Sequence, residues 1–68
     1  MNVHLNGRPV ELADGASVRD AVAAAGVGAD ERGIAVALDG TVVSRSAWDT
    51  TTLTPDAQLE VLRATAGG

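Results

Sequence analysis

The residues of this chain best suited to chemistry are the last two, Gly67-Gly68, approached through the small residues Ala64-Thr65-Ala66. A terminal carboxylate with a pKa of about 3.3–3.7 is ionised at neutral pH and is a poor electrophile, so reaction at Gly68 requires a partner that activates it. Glycine suits such a partner. Lacking Cβ, it adopts backbone angles closed to other residues and passes through a slot where a side chain would collide. From Arg63 to Gly68 an extended chain reaches about 20 Å at roughly 3.3 Å per residue, enough to enter a pocket while a folded domain stays outside it. Taken alone, the glycine pair is equally compatible with an inert chain end.

The remaining polar residues offer no competing site. His4 is the single histidine and there is no cysteine, which leaves no histidine cluster, thiolate metal site or disulfide framework. Glu11, Glu31 and Glu60 are dispersed and read as solvated side chains rather than paired carboxylates. Asn6-Gly7, Asp14-Gly15 and Asp39-Gly40 lack the glycine spacing and following helix of a phosphate loop, and read as turns. No catalytic residue and no metal ligand is therefore assigned.

Sixty-eight residues make one domain, which buries only about 60% of its unfolded surface and has little room for an enclosed active site. A net charge of −4 argues against nucleic acid and anionic membranes as partners, since both are bound by basic surfaces, and favours a protein with a basic docking face. No apolar run has the length of a membrane span and the N-terminus lacks a signal-peptide pattern, so the expected location is the cytoplasm. All five cationic residues are arginines. Without lysine, the chain offers no side-chain amine through which copies of itself could be joined.

The elements that must position the terminus follow from pattern. Met1, Val3 and Leu5 alternate with polar residues, Asn6-Gly7 supplies a hairpin turn, and Val10 and Leu12 continue the alternation. After Asp14-Gly15, Ser17 is placed as a helix N-cap with Asp20 three residues on. Val18, Ala21, Val22 and Ala25 form one apolar stripe and Gly26 ends the helix. Ile34, Val36 and Leu38 then alternate with Ala35 and Ala37, and Asp39-Gly40 turns into Thr41-Val42-Val43. Trp48 and Leu53 are expected to tuck an irregular segment under the sheet edge, Pro55-Asp56 to turn, and Leu59 and Val61 to form the inward face of a last strand. The order ββαβββ implies an α+β fold with one main helix across a mixed sheet of four to five strands.

Period-two alternation places Leu62 on the face opposite Leu59 and Val61, alongside Ala35 and Ala37. That face has no second helix to cover it, so Leu62, Ala35 and Ala37, with Arg63 beside them, form a candidate docking patch; ordinary surface apolarity is the alternative. Arg45 and Arg63 are further candidates for steering an acidic partner.

Three segments together, Val43-Ser44-Arg45-Ser46-Ala47-Trp48, Pro55-Asp56-Ala57-Gln58-Leu59-Glu60-Val61 and Ala66-Gly67-Gly68, resemble the bacterial sulfur-carrier protein family of thiamin thiazole biosynthesis. The resemblance implies a ubiquitin-like β-grasp domain over residues 1–63 and a flexible C-terminal tail over 64–68. It also implies a function: a ubiquitin-activating-type adenylyltransferase uses ATP and Mg to adenylate Gly68, a persulfide sulfur donor converts it to a thiocarboxylate, and thiazole synthase receives the sulfur. Gly68 is then the covalent site, while Gly67 and Ala66 allow the tail to thread. The domain itself would bind no cofactor, catalyse nothing and be a monomer when free, a protein co-substrate of its partner enzymes. Two related readings share the terminus: the small subunit of molybdopterin synthase, also a sulfur carrier, and a ubiquitin-like protein modifier.

Overall fold

The structure, a computed structural model, describes residues 1–26 and 33–63. Five strands and one helix follow in the order β1 (Asn2–Leu5), β2 (Arg8–Glu11), α1 (Val18–Ala24), β3 (Ile34–Leu38), β4 (Thr41–Val43) and β5 (Gln58–Arg63), with a 3-10 turn at Arg45–Ala47. The sheet order is β2-β1-β5-β3-β4. β1 and β5 run parallel and the other neighbours antiparallel. This is the mixed sheet with one helix that the sequence implies, with five strands.

Both hairpins are set by the two residues at their turns. Asn6 and Gly7 have φ of 52° and 79°, and Asp39 and Gly40 have 48° and 85°. Positive φ at both central residues is the requirement of a type I′ turn, whose twist matches that of the flanking strands. Gly15 and Asp56 also have positive φ, each third in a turn closed by a hydrogen bond, Ala16 N–H to the Ala13 carbonyl at 3.0 Å and Ala57 N–H to the Thr54 carbonyl at 3.1 Å.

The helix is short, and its start is held by side chain and tertiary contacts. Ser17 accepts from the Asp20 amide while the Asp20 carboxylate accepts from the Ser17 amide, a complete capping box. Two further N–H groups of the first turn have no partner within the helix. They are met from a distance: Val18 donates to the Thr51 carbonyl at 3.0 Å and Arg19 to the Trp48 carbonyl at 3.1 Å. The segment after the 3-10 turn therefore serves as the helix's cap. At the other end Gly26, at φ 72°, terminates the helix.

The core lies between α1 and one face of the sheet. Val18, Ala21 and Val22 from the helix meet Val3, Leu5, Val36, Leu59 and Val61 from the strands, closed at one side by Trp48, Leu53 and Ala57. Trp48 is 1% exposed, and its indole N–H donates to the Val43 carbonyl at 3.1 Å, which satisfies the polar atom that burial would otherwise penalise. Arg19 lies over the Trp48 ring, 5.6 Å from its centroid, and pairs with Asp49. The Met1 ammonium contacts Glu11 at 2.8 Å and Asp14 at 3.2 Å. Its hydrogen bond to the Glu11 carboxylate is the main reason its pKa is raised; desolvation opposes this, and Asp14 adds a smaller effect in the upward direction.

Candidate functional site

The face of the sheet turned away from α1 is the surface on which the docking candidates fall. Along β5 the burial alternates, with Leu59 and Val61 buried and Gln58, Glu60 and Leu62 exposed. The antiparallel register pairs Leu62 directly with Ala35 and Glu60 with Ala37. In the next hairpin Ala37 pairs with Val42. Leu62, Ala35, Ala37, Glu60 and Val42 thus occupy one contiguous area, with a shallow depression of about 130 Å³ between them.

Leu62 is 63% exposed and Val42 76%, and these are the two large exposed apolar residues among those described. The flanking alanines are short, so each side chain stands above its neighbours rather than packing against them. A second hollow of about 510 Å³ continues beside β5, lined by Asn6, Gly7, Gln58, Leu59, Glu60 and Leu62. This open apolar face with a single carboxylate inside it is suited to contact with another protein surface.

Arg63 does not join Leu62. It pairs with Ile34, and alternation puts it on the same side of the sheet as Val61 and Leu59. Arg45 lies in the 3-10 turn that precedes Trp48. His4 sits mid-strand on β1, half-buried, opposite Pro9 on one side and Gln58 on the other. Among the described residues, no group of three or more His, Cys, Asp or Glu side chains could hold a metal ion, and no helix is long and apolar enough to cross a membrane. Gly68, Gly67 and Ala66, the reactive and threading candidates, lie outside the described residues.

Two features of this surface go beyond the patch expected from alternation along β3 and β5. Val42 follows from the turn: two residues at Asp39-Gly40 set Leu38 against Thr41, and the next pair is Ala37 with Val42. The other is Asn6, whose side chain reaches β5. Its Oδ1 accepts from the Val61 amide at 2.8 Å and its Nδ2 donates to the Val61 carbonyl at 3.1 Å. Asp39, in the second type I′ turn, holds the opposite end of the same strand: its Oδ1 accepts from the Gln58 amide at 2.9 Å and its own amide donates to the Gln58 carbonyl at 2.8 Å. No sequence pattern signals either contact, because each joins a turn to a strand distant in the chain.

Comparison with known proteins adds to this geometry. The model of the ThiS family matches residues 3–68. The crystal structure of a thiamine biosynthesis protein (ThiS) from Geobacter metallireducens superposes with a TM-score of 0.80 at 33% identity, each chain being fully covered. A solution structure of a thiamine biosynthesis protein from the same organism gives 0.78 at 34% identity, with all of this chain and 88% of the other covered. Among curated proteins, none matches.

Proposed function

Because this chain belongs to the ThiS family, a group of small ubiquitin-like β-grasp proteins, we propose that it is a sulfur carrier of thiamine biosynthesis whose Gly68 carboxylate is activated and converted to a thiocarboxylate by partner enzymes. The observation that carries this reading is the extent of the family match, which runs through Gly67-Gly68 to residue 68.

The chemistry follows from the properties of a carboxylate. Its negative charge protects the carbonyl carbon from nucleophiles, and no group on this domain removes that protection. Attack of the Gly68 carboxylate on the α-phosphorus of ATP, with Mg and catalysis supplied by an adenylyltransferase, gives an acyl adenylate and pyrophosphate. AMP is then a good leaving group. The terminal sulfur of a persulfide donor displaces it, and cleavage of the resulting S–S bond by a thiol, itself oxidised to a disulfide, leaves the thiocarboxylate on Gly68. That thiocarboxylate is the nucleophile presented to thiazole synthase. The reactions take place in the cytoplasm with the carrier as co-substrate, and the free carrier is a monomer.

In this scheme the outer sheet face docks the domain on its partners through Leu62, Val42, Ala35 and Ala37. Gly67 and Ala66 provide the clearance that lets residues 64–68 enter the partner's active site.

The test is mass spectrometry of the intact protein and its C-terminal peptide after incubation with ATP, a sulfide source and the cognate activating enzyme. Replacement of one oxygen by sulfur, localised to Gly68 and trapped by thiol alkylation, is expected. Methionine oxidation gives nearly the same mass change, which makes the alkylation step necessary. A chain lacking Gly68 should fold normally and accept no sulfur, since the described core is built from residues between Val3 and Val61. Amide adducts on target amines in place of a thiocarboxylate would identify a protein modifier instead.

A further inference from the structure

We propose that Asn6 is a positioning residue for the chemistry at Gly68, acting by extending the β1–β5 ladder past the end of β1 and so fixing the last part of β5, the strand that leads into residues 64–68. The inference rests on the carrier reading above.

The parallel ladder runs from His4 N–H to the Ala57 carbonyl and from Asn6 N–H to the Leu59 carbonyl, both at 2.8 Å. By the same step, the next two bonds would run from Val61 N–H to the backbone carbonyl of residue 6 and from the amide of residue 8 to the Val61 carbonyl. Neither can form, because the chain turns at Asn6-Gly7 into β2. The Asn6 side chain takes both places: its carbonyl oxygen accepts from Val61 N–H and its amide nitrogen donates to the Val61 carbonyl. One side-chain amide thereby replaces one missing peptide group, with donor and acceptor in the required order. The ladder is prolonged to a residue immediately before Leu62 and Arg63.

A plain turn requirement does not explain this residue. Positive φ at the first turn position is met equally by aspartate, as Asp39 at φ 48° demonstrates in the other hairpin of this sheet, and glycine meets it without strain. What neither supplies is a neutral amide with one donor and one acceptor facing Val61. Without it, Val61 loses both partners on the β1 side and the end of β5 is held by β3 alone.

The functional consequence concerns effective concentration. When the domain is docked, the terminal carboxylate is delivered by residues 64–68, whose origin is the end of β5. Letting Val61–Arg63 fray adds three residues to the delivering segment and spreads the positions that Gly68 can occupy. The docking residues on β3 and β4, Ala35, Ala37 and Val42, would be kept while Leu62 lies in the loosened segment, so encounter weakens by no more than the Leu62 contact contributes and the loss that reports positioning is the one in kcat.

The experiment compares the wild-type protein with Asn6→Asp and Asn6→Gly. Hydrogen exchange of backbone amides by NMR reads the clamp, and steady-state kinetics of ATP-dependent thiocarboxylate formation with the cognate activating enzyme reads its effect. Asn6→Gly is expected to speed Val61 exchange by roughly tenfold or more relative to the β3 amides, and to lower kcat by roughly fivefold, with any rise in KM no larger than that of Leu62→Ala measured in parallel. Asn6→Asp keeps the turn and the acceptor but removes the donor, and should fall between wild type and glycine in both readouts. Unchanged Val61 exchange in Asn6→Gly overturns the clamp. Faster exchange with unchanged kcat, or a rise in KM alone, overturns the positioning role. Failure of the wild-type protein to be converted by a demonstrably active enzyme overturns the carrier reading and the positioning role with it, while the exchange measurement still decides the clamp.

Discussion

Replacing Leu62 by aspartate should weaken binding to the activating enzyme without unfolding the domain, and the size of both effects can be worked from its surroundings. Complete burial of a leucine side chain stabilises by about 1.5–3 kcal/mol. Leu62 keeps 63% of its surface exposed in the free protein, so covering that exposed part is worth about 1–2 kcal/mol, or roughly a 5- to 30-fold change in Kd. Leu62→Ala removes most of that. Leu62→Asp removes it and adds the cost of desolvating a carboxylate, next to Glu60 on the same face, so its effect should be at least as large. In the folded monomer the replaced side chain is exposed on the outer face, opposite Ala35 in the register. Substitutions of this kind usually change stability by about 0.5 kcal/mol or less, which lowers Tm by no more than about 2–4 °C in a domain of this size. The assay is calorimetric titration of each variant into the activating enzyme at fixed ionic strength, with thermal melts followed by circular dichroism. Unchanged Kd for Leu62→Asp would refute the docking assignment, and a collapse of Tm would show that Leu62 belongs to the core after all.

Three further outcomes test the fold and the charge pattern. Ser17→Ala removes half of the capping box and should cost about 1 kcal/mol, seen as a Tm lower by roughly 4–8 °C. Trp48→Phe leaves the Val43 carbonyl without its indole donor and opens space in the core, for about 1–3 kcal/mol by denaturant titration; a loss below measurement error would show that the indole contact contributes nothing. The Met1 ammonium has a pKa raised above its ordinary 8.0 by Glu11, so the folded state holds that proton more tightly than the unfolded one. Its contribution is fully present below about pH 8 and is lost as pH rises through the higher folded value. Thermal melts across that range should show the decline, and N-terminal acetylation should abolish it.

The sequence by itself determined whatever depends on neighbouring residues. Asn6-Gly7 and Asp39-Gly40 mark their hairpins because positive φ is a property of one or two residues. Ser17 with Asp20, the apolar stripe from Val18 and the stop at Gly26 delimit the helix because capping and the 3.6-residue period are equally local. Alternation assigns Leu59 and Val61 inward and Leu62 outward for the same reason, and the terminal glycines with the Arg45-to-Trp48 segment and Pro55-Asp56 were enough to suggest the family.

Only the tertiary structure decided which strands meet. It placed β5 between β1 and β3, pairings between segments that begin more than fifty and twenty residues apart, whose closure energy no local pattern encodes. From that placement come the contiguity of Leu62 with Val42, the separation of Arg63 from both, and the use of Trp48 and Thr51 carbonyls to cap a helix thirty residues earlier. The Asn6 side chain acquires its partner in the same way. A turn residue becomes part of a ladder only once the opposite strand has arrived, because a hydrogen bond needs both of its ends in place.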